Sequence, residues 1–170
     1  YTGAPQADVN QQVTVLEQVI AKRPAGIAVT CSNPDGLRAP IDRAIEVGIP
    51  VVTFDADSPL SKRYCYLGTG NYNAGAMAAR YLANLIGGKG EVAVSTVTGQ
   101  LNHEERKAGF METLAKEYSN VKVVSVGNDN NDQTIAATLV AGFLQAHPNL
   151  SGVFCTDALG GVGAATAVRE

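Results

Sequence analysis

The chain has 170 residues, of which 45% are hydrophobic and 17% are charged, and its formal net charge is −3. This size and hydrophobicity predict one ordinary domain or two small lobes with a buried core. Lysine and arginine form no basic block, which argues against nucleic-acid binding, and no apolar run approaches the roughly 20 residues that span a bilayer. The three widely spaced cysteines form no C-x-x-C pair, which excludes a zinc ribbon and a thioredoxin-like motif.

Helices and strands alternate along the first half of the chain. Apolar residues at helical spacing predict a helix that starts near Val9 and is stopped by Pro24, and residues 26–30 follow as a short buried strand. The next predicted elements are a helix after the turn at 33–36, a strand at 51–54, a short strand at 64–67 and a helix at about 72–86.

The second half repeats this scheme, with predicted strands at 91–96, 121–126 and 152–155 and predicted helices at 103–118, at 131–147 and from about Leu159. Such alternation predicts an α/β fold with parallel sheets, right-handed crossovers and helices on both faces. Residues 1–5 are typical of the end of a strand, and residues 164–170 of a helix without a cap. The sequence therefore predicts the middle portion of a longer protein.

Two carboxylates follow the apolar strand at 51–54. Ligands bind at the carboxyl ends of the strands in an open α/β sheet, so Asp55 and Asp57 are predicted ligand-binding residues. Two positions apart on an extended segment, their side chains are expected to point the same way and to suit adjacent sugar hydroxyls. Turn formation and acid–base catalysis by the pair are the alternatives. Thr30 and Ser32 form a second polar strand end.

The second half contributes further candidates. Asn102 and Glu105 have the spacing of a capping box, and Arg106 can bind an oxygen ligand with its fork or form a surface salt bridge. Asp157 follows a strand and is predicted to be a helix cap, a ligand acceptor or both. The Asx-rich segment 128–132 lacks the spacing of a calcium loop, so ligand contact through Asn131 or Asp132 is the favoured interpretation.

Several catalytic and cofactor motifs do not occur in the sequence. Gly68, Gly70 and Gly75 do not have the G-x-G-x-x-G spacing of a dinucleotide site, and a turn or hinge is the favoured use of these glycines. No nucleophile elbow, phosphate loop or H-E-x-x-H helix is present. Polar strand ends without such motifs favour a binding protein over an enzyme, with no cofactor, metal or catalytic residue predicted.

The chain resembles the type I periplasmic binding proteins, the ribose- and galactose-like sugar receptors of ABC transporters, whose fold is shared by the effector domains of LacI-type repressors. The segments that carry the resemblance are Gly48-Ile49-Pro50-Val51-Val52-Thr53-Phe54-Asp55, Tyr66-Leu67-Gly68-Thr69-Gly70-Asn71 with Gly75, Gly99 with Asn102, Glu105-Arg106 with Gly109-Phe110, and Ala146-His147-Pro148 with Val153-Phe154.

The resemblance implies two Rossmann-like lobes joined by a hinge, with the ligand clamped between them. It places a partial N-terminal lobe at residues 1–69 and a partial C-terminal lobe at 70–170, with the fold incomplete at both ends. Asp55 matches the family's typical ligand-binding Asp, and Arg106 the Arg that binds sugar hydroxyls. Ribose-like receptors carry a second Arg after the Asp, where this chain has Ala56, which argues against ribose. The other ligand-lining positions are Thr30 to Ser32, Asn102, Asn131 or Asp132, and Asp157.

The resemblance also implies a function, a partner and a location. The expected protein is a non-enzymatic receptor that captures a sugar or similar polyol, closes on it and delivers it to the permease subunits of an ABC transporter. It is expected in the periplasm or outside the cell, lipid-anchored or secreted. The alternative function is the sensor domain of a LacI-type repressor or of a membrane sensor kinase, and an α/β enzyme is a third class.

Overall fold

The computed structural model describes residues 2–3 and 8–169 and has the alternating α/β order that the sequence predicts. This confirms the predicted fold class, parallel sheets flanked by helices. The elements are α1 (Val9–Ala21), β1 (Ile27–Val29), α2 (Pro34–Glu46), β2 (Val51–Phe54), β3 (Cys65–Leu67), α3 (Asn71–Leu85), β4 (Gly90–Thr96), α4 (Leu101–Glu117), β5 (Val121–Asn128), α5 (Gln133–Ala146), β6 (Leu150–Cys155) and α6 (Ala158–Arg169).

The chain divides into two compact units. The first unit comprises the residues up to Thr69 together with Gly99–Asn102, and the second comprises Gly70–Thr98 and the residues from His103 onward. We refer to them as unit 1 and unit 2.

Unit 1 contains a three-stranded parallel sheet with the order β1-β2-β3. Its core is apolar on the faces that α1 and α2 cover, where Leu16, Leu37, Ile41 and Val51 are buried. The connection from β2 to β3 contains no helix, although parallel neighbours usually need a long crossover. This connection therefore depends on side-chain contacts of its own.

Unit 2 contains a second three-stranded parallel sheet, with β4 at its centre in the order β5-β4-β6. Val92 and Val94 of β4 are fully buried, as expected for a central strand covered on both faces. On one face the ring of Phe110 from α4 stacks on Phe154 of β6, with ring centroids 4.3 Å apart. The polar carboxyl end of β4 continues into Ser95 and Thr96, which are also buried.

Helix α3 and the part of α4 from His103 onward, both in unit 2, approach each other so closely that their contact requires glycine. A Cβ atom on Gly75 would overlap the carbonyl oxygen of Arg106, and one on Gly109 would overlap that of Tyr72. Each helix thus presents a glycine to the backbone of the other. This contact fixes where the part of α4 from His103 onward lies relative to α3.

The element types match the sequence prediction, and most differences are shifts of one or two residues at element ends. The clearest differences are the earlier start of α4 at Leu101 and the extension of β5 to Asn128. Of the segment 1–5, predicted as the end of a strand, only Thr2 and Gly3 are described and neither lies in a strand; the remainder lies outside the described residues. Helix α6 reaches Arg169.

None of the helices within residues 2–3 and 8–169 is both long and apolar enough to span a lipid bilayer.

Candidate functional site

The carboxyl end of β1 is polar and is organised by a side chain from α1. The Gln12 amide donates to the Thr30 carbonyl oxygen over 2.6 Å and accepts from the Ser32 backbone N–H over 2.9 Å and from the Ser32 hydroxyl. The Thr30 hydroxyl accepts from the Ala56 N–H at 3.4 Å. Both predicted ligand residues of this strand end are therefore partly buried and already hydrogen-bonded within unit 1.

Asp55 lies directly after β2 in a strained conformation. Its φ is +59°, in the left-handed region that non-glycine residues rarely adopt. The Leu67 carbonyl accepts from the Asp55 N–H at 3.1 Å, and the Tyr66 hydroxyl donates to the Asp55 carbonyl at 2.7 Å. The residue is exposed, and its carboxylate forms no hydrogen bond or ion pair with the part of the chain that the structure describes. Strained residues cluster at binding sites, although Asp also tolerates this conformation in ordinary turns, so ligand contact by Asp55 stays a prediction.

Asp57 does not point with Asp55, so the expectation that the two side chains project together is wrong. The left-handed residue Asp55 ends the extended segment, and Asp57 turns inward, where it is 9% exposed. Arg63 donates to both carboxylate oxygens of Asp57, while the Thr53 hydroxyl and the Ser58 N–H donate over 2.6 and 2.8 Å. Asp57 therefore braces the helix-free connection between β2 and β3.

The contacts of Asp57 also determine its protonation. Burial alone would raise the pKa of Asp57, but the hydrogen bonds from Arg63, Thr53 and Ser58 outweigh it and hold the pKa below its usual value. A depressed pKa means that the carboxylate stabilises the fold at pH values above the ordinary Asp pKa. This contribution is lost as the pH falls through the folded-state pKa.

We expect Asp57→Asn to lower the free energy of unfolding by about 2 kcal/mol at neutral pH, because it leaves the Arg63 guanidinium without its charged partner. Chemical denaturation measures this loss, and the difference from wild type should shrink on acidification. Asp35→Asn, the same exchange at an exposed carboxylate, is the control and should change little. Equal unfolding free energies for wild type and Asp57→Asn would contradict the bracing role.

Arg106 projects from the second turn of α4 and is held by two groups of unit 2. Its Nε donates to the Asn71 Oδ1 over 2.9 Å, and its Nη1 donates to the Thr156 carbonyl over 2.8 Å. Asn71 is 3% exposed at the start of α3, and Thr156 is buried at the carboxyl end of β6. The Nη2 group forms no hydrogen bond with the described residues. The guanidinium is thus fixed by uncharged acceptors, which leaves its charge and one donor group free for a ligand.

Asn102 is buried within the first turn of α4. The helix begins at Leu101, so the prediction that Asn102 is the N-cap of this helix is wrong. Gly99, with φ of +85°, already turns the chain before Leu101, which places the start of the helix earlier than the capping pattern indicates. His103, the next residue, lies with its Nδ1 3.1 Å from the Thr156 hydroxyl.

The loop before α5 is built from Asx residues. Asp132 is the N-cap of α5 and accepts from the Thr134 and Ile135 N–H groups at 2.8 and 3.0 Å. Asn131 has φ of +56° and is exposed, and its N–H donates to Asp129 Oδ1 over 2.9 Å. Both predicted ligand residues of this loop therefore have local structural roles, which are compatible with side-chain contact to a ligand.

Asp157 caps α6, as the sequence predicts. Its Oδ1 accepts from the Gly160 N–H over 2.6 Å. Its Oδ2 is buried and has no hydrogen-bond partner, the one such side-chain atom found in residues 2–3 and 8–169. Ligand contact by Asp157 stays a prediction.

Sequence reasoning missed Asp129 and Asn71. Asp129 is fully buried, although the sequence places it in a hydrophilic run that suggests an exposed loop. Asn71 follows Gly70 in one of the segments that carry the family resemblance, and no role of its own is predicted for it. The sequence pattern around each of them is a single polar residue directly after a strand or at a helix start. This pattern is too common to identify a site.

The residues described here do not gather three or more His, Cys, Asp or Glu side chains in an arrangement that could hold a metal ion.

Two of the three cysteines, Cys31 and Cys155, have thiol pKa values raised to about 12 by burial and by neighbouring Asp carboxylates. Both thiols are therefore protonated at neutral pH and are poor nucleophiles.

Residues 1–170 match the family described as the periplasmic binding protein domain over their whole length. The chain is 48% identical to AraP, an arabinose-binding protein from Geobacillus stearothermophilus, with a TM-score of 0.82 over 98% of this chain and 58% of that one. It is 47% identical to a sugar-binding protein of a sugar ABC transporter from Bacillus halodurans, with a TM-score of 0.89 over 98% of this chain and 57% of that one.

A third relative is the xylose/arabinose-binding protein XylF of Sulfolobus acidocaldarius, which is 27% identical over 181 residues, covering 100% of this chain and 44% of that protein. The chain spans about half the length of the relatives it matches. The family that the sequence motifs predict is thereby confirmed, and the chain belongs to the periplasmic binding protein domain family.

Proposed function

We propose that this chain belongs to a receptor that binds a sugar or a similar polyhydroxylated molecule. The observation that carries the proposal is Arg106, a guanidinium at the carboxyl end of the unit 2 sheet that is fixed by Asn71 and the Thr156 carbonyl but retains a free donor group. Sugar hydroxyls accept hydrogen bonds from such a fork and donate to carboxylates. Three relatives named for sugars support the same class of ligand.

Each unit offers groups of its own for this recognition. In unit 2 we assign Arg106 as the donor to sugar oxygens and Asp157 as an acceptor. In unit 1 we assign the exposed Asp55 carboxylate as an acceptor, and Asn102 in the first turn of α4 as an amide that accepts or donates. Thr30, Ser32, Asn131 and Asp132 stay predicted ligand contacts, whereas Asp57 is assigned to the support of the loop that carries Asp55.

The proposed ligand is a pentose of the arabinose or xylose type. Two of the similar proteins are named for arabinose. Ala56 follows Asp55 where ribose-like receptors have a second arginine, so one charged donor to the ligand is absent and ribose is disfavoured. Such a site discriminates between sugars because its buried polar groups stay unpaired when a ligand lacks the matching hydroxyl.

We further propose how the whole protein works. Unit 1 apart from Gly99–Asn102 is part of an N-terminal lobe at residues 1–69, and unit 2 is part of a C-terminal lobe at 70–170. The protein delivers its sugar to the permease subunits of an ABC transporter without chemical conversion. A relative described as the sugar-binding protein of a sugar ABC transporter supports this role. A periplasmic or extracellular location follows from it.

The identity of the ligand is tested by thermal unfolding of the protein with its natural termini in the presence of a panel of sugars. L-arabinose, D-arabinose or D-xylose should raise the melting temperature by several degrees at a thousandfold excess over Kd, since binding to the native state alone adds about 4 kcal/mol. The panel also contains D-ribose, D-allose, D-galactose and autoinducer-2, with mannitol as an acyclic control. A protein that melts cooperatively but responds to no sugar would contradict the proposal.

A further inference from the structure

The carboxyl group of Asp129 is enclosed in unit 2 with no counter-charge. Its side chain is fully buried between the end of β5 and the start of α5. The Ser95 hydroxyl donates to its Oδ2, and the Asn131 N–H donates to its Oδ1 over 2.9 Å. It forms no ion pair with the described part of the chain. An isolated buried carboxylate is costly, so a neutral form of this group is favoured.

The unpartnered Oδ2 of Asp157 faces the same point as Asp129. A Cβ atom on Gly160 would lie 2.8 Å from Asp129 Oδ2 and 2.9 Å from Asp157 Oδ2. The missing side chain of Gly160 therefore gives the two carboxyl groups room to meet. Two ionised carboxylates this close repel each other, whereas one proton between them converts the repulsion into a hydrogen bond and satisfies the orphaned oxygen.

We propose that Asp129 and Asp157 share one proton, with Asp129 as the acid and Asp157 Oδ2 as the acceptor, and that this hydrogen bond makes Asp129 a positioning residue for Asp157. The second half rests on the proposed function, in which Asp157 contacts the sugar. A divalent cation is a poor substitute for the proton because no third His, Cys, Asp or Glu ligand joins the pair among the residues described.

The surroundings of the pair decide how it responds to pH. Burial has the largest effect and raises the pKa of Asp129. The hydrogen bonds from Ser95 and Asn131 lower this pKa and the Asp157 carboxyl raises it, so that the net shift is upward. From β6 the pair faces the Cys155 thiol, whose pKa of about 12 keeps it neutral. On the α4 side, His103 and Arg106 contact Thr156, the residue before Asp157, and at the start of α5 the Asp132 carboxylate caps the helix.

The sign of the pH dependence follows from the raised pKa. The protonated pair stabilises the fold below the ordinary Asp pKa, and this contribution is lost as the pH rises through the folded-state pKa of Asp129. Asp129→Asn should remove this dependence, because the amide is neutral at every pH and still has an N–H group to donate to Asp157.

The shared proton is tested on the protein with its natural termini and without any sugar. In a carbon-13 NMR titration of the Asp carboxyl groups, the Asp129 signal should shift at a pH above the ordinary Asp range, and in Asp129→Asn the alkaline loss of melting temperature should be flattened. Asp35→Asn, an exposed match, should behave like wild type. The shared proton would be overturned if Asp129 titrated in the ordinary Asp range, or if Asp129→Asn lost melting temperature at alkaline pH as wild type does. A rise in melting temperature on adding calcium would overturn it as well.

The positioning role is tested by calorimetric titration with L-arabinose, or with the sugar that raises the melting temperature most. Asp129→Asn should keep the affinity within about threefold, whereas Asp129→Ala should lower it about 10-fold, as expected when a hydrogen bond to a charged group is lost. Ser95→Ala, which removes only a donor to Asp129, gives a milder second variant whose affinity should fall less than that of Asp129→Ala.

Wild-type affinity in a folded Asp129→Ala protein would overturn the positioning role, as would an Asp129→Asn protein that binds as weakly as Asp129→Ala. If no sugar binds the unsubstituted protein, the proposed function fails, while the NMR titration still decides whether the proton is shared. The two failures are therefore distinguishable.

Discussion

On the proposed function, replacing Arg106 by alanine will lower the affinity for the sugar by about 100-fold or more, because the free Nη2 group can donate two hydrogen bonds from a charged guanidinium and both are lost at once. The cost is large because Asn71 and the Thr156 carbonyl already fix the guanidinium, so the sugar does not have to order it. Isothermal titration calorimetry on the protein with its natural termini measures the change.

Two matched variants separate this effect from a general loss of charge. Arg106→Lys keeps the charge but has no fork to contact Asn71, Thr156 and a sugar together, so it should lose roughly 10-fold. Arg80→Ala removes an arginine of α3 that pairs with Glu117 at the exposed surface, and its affinity should stay within twofold of wild type. Binding by Arg106→Ala within threefold of wild type would rule out the assigned role.

The fold could be predicted because its determinants are local in the sequence. Apolar residues at helical spacing and short apolar runs between turns gave the type of every element, and the alternation of elements indicated parallel sheets. Element ends were less predictable where a single residue decides them. At α4 the pattern around Asn102 indicates a cap, but the turn at Gly99 starts the helix at Leu101.

The roles of the carboxylates were harder to predict because they depend on partners that are distant in sequence or on backbone conformation. Asp55 and Asp57 are equivalent in the sequence, and only the left-handed φ of Asp55 separates an exposed acid from a buried one. Asp129 is bonded by Ser95 from 34 residues away, and no local pattern indicates that contact. Each of these acids has a role that tertiary contacts decide.

Arg106 shows both what the sequence can predict about a site residue and what it cannot. Its place in a helix after a polar strand end predicts either an oxygen-binding residue or a surface salt bridge, and Arg106 forms no salt bridge with the described residues. The groups that hold it could not be predicted, since Asn71 lies 35 residues away in sequence and Thr156 lies 50 residues away. What the structure adds is therefore the support that turns a flexible side chain into a preorganised donor.

That support also depends on the glycine contact between α3 and α4, which leads to the largest expected effect on stability. Gly75→Ala will lower the free energy of unfolding by about 3 kcal/mol, because the new methyl group overlaps the carbonyl oxygen of Arg106 and backbone cannot move aside as a side chain can. Chemical denaturation measures the loss. The same overlap pushes α4 away from Asn71, so the sugar affinity should fall together with the stability.

Gly142→Ala in α5 is the matched control, because a Cβ atom there would meet no heavy atom within 4 Å. Alanine is the better helix former, so this variant should gain up to about 1 kcal/mol. Gly109→Ala, whose methyl group would overlap the Tyr72 carbonyl, should resemble Gly75→Ala because it meets the same crossing from the other helix. If Gly75→Ala and Gly142→Ala proved equally stable, the close approach of α3 and α4 would be refuted, and with it the reason for a fixed Arg106.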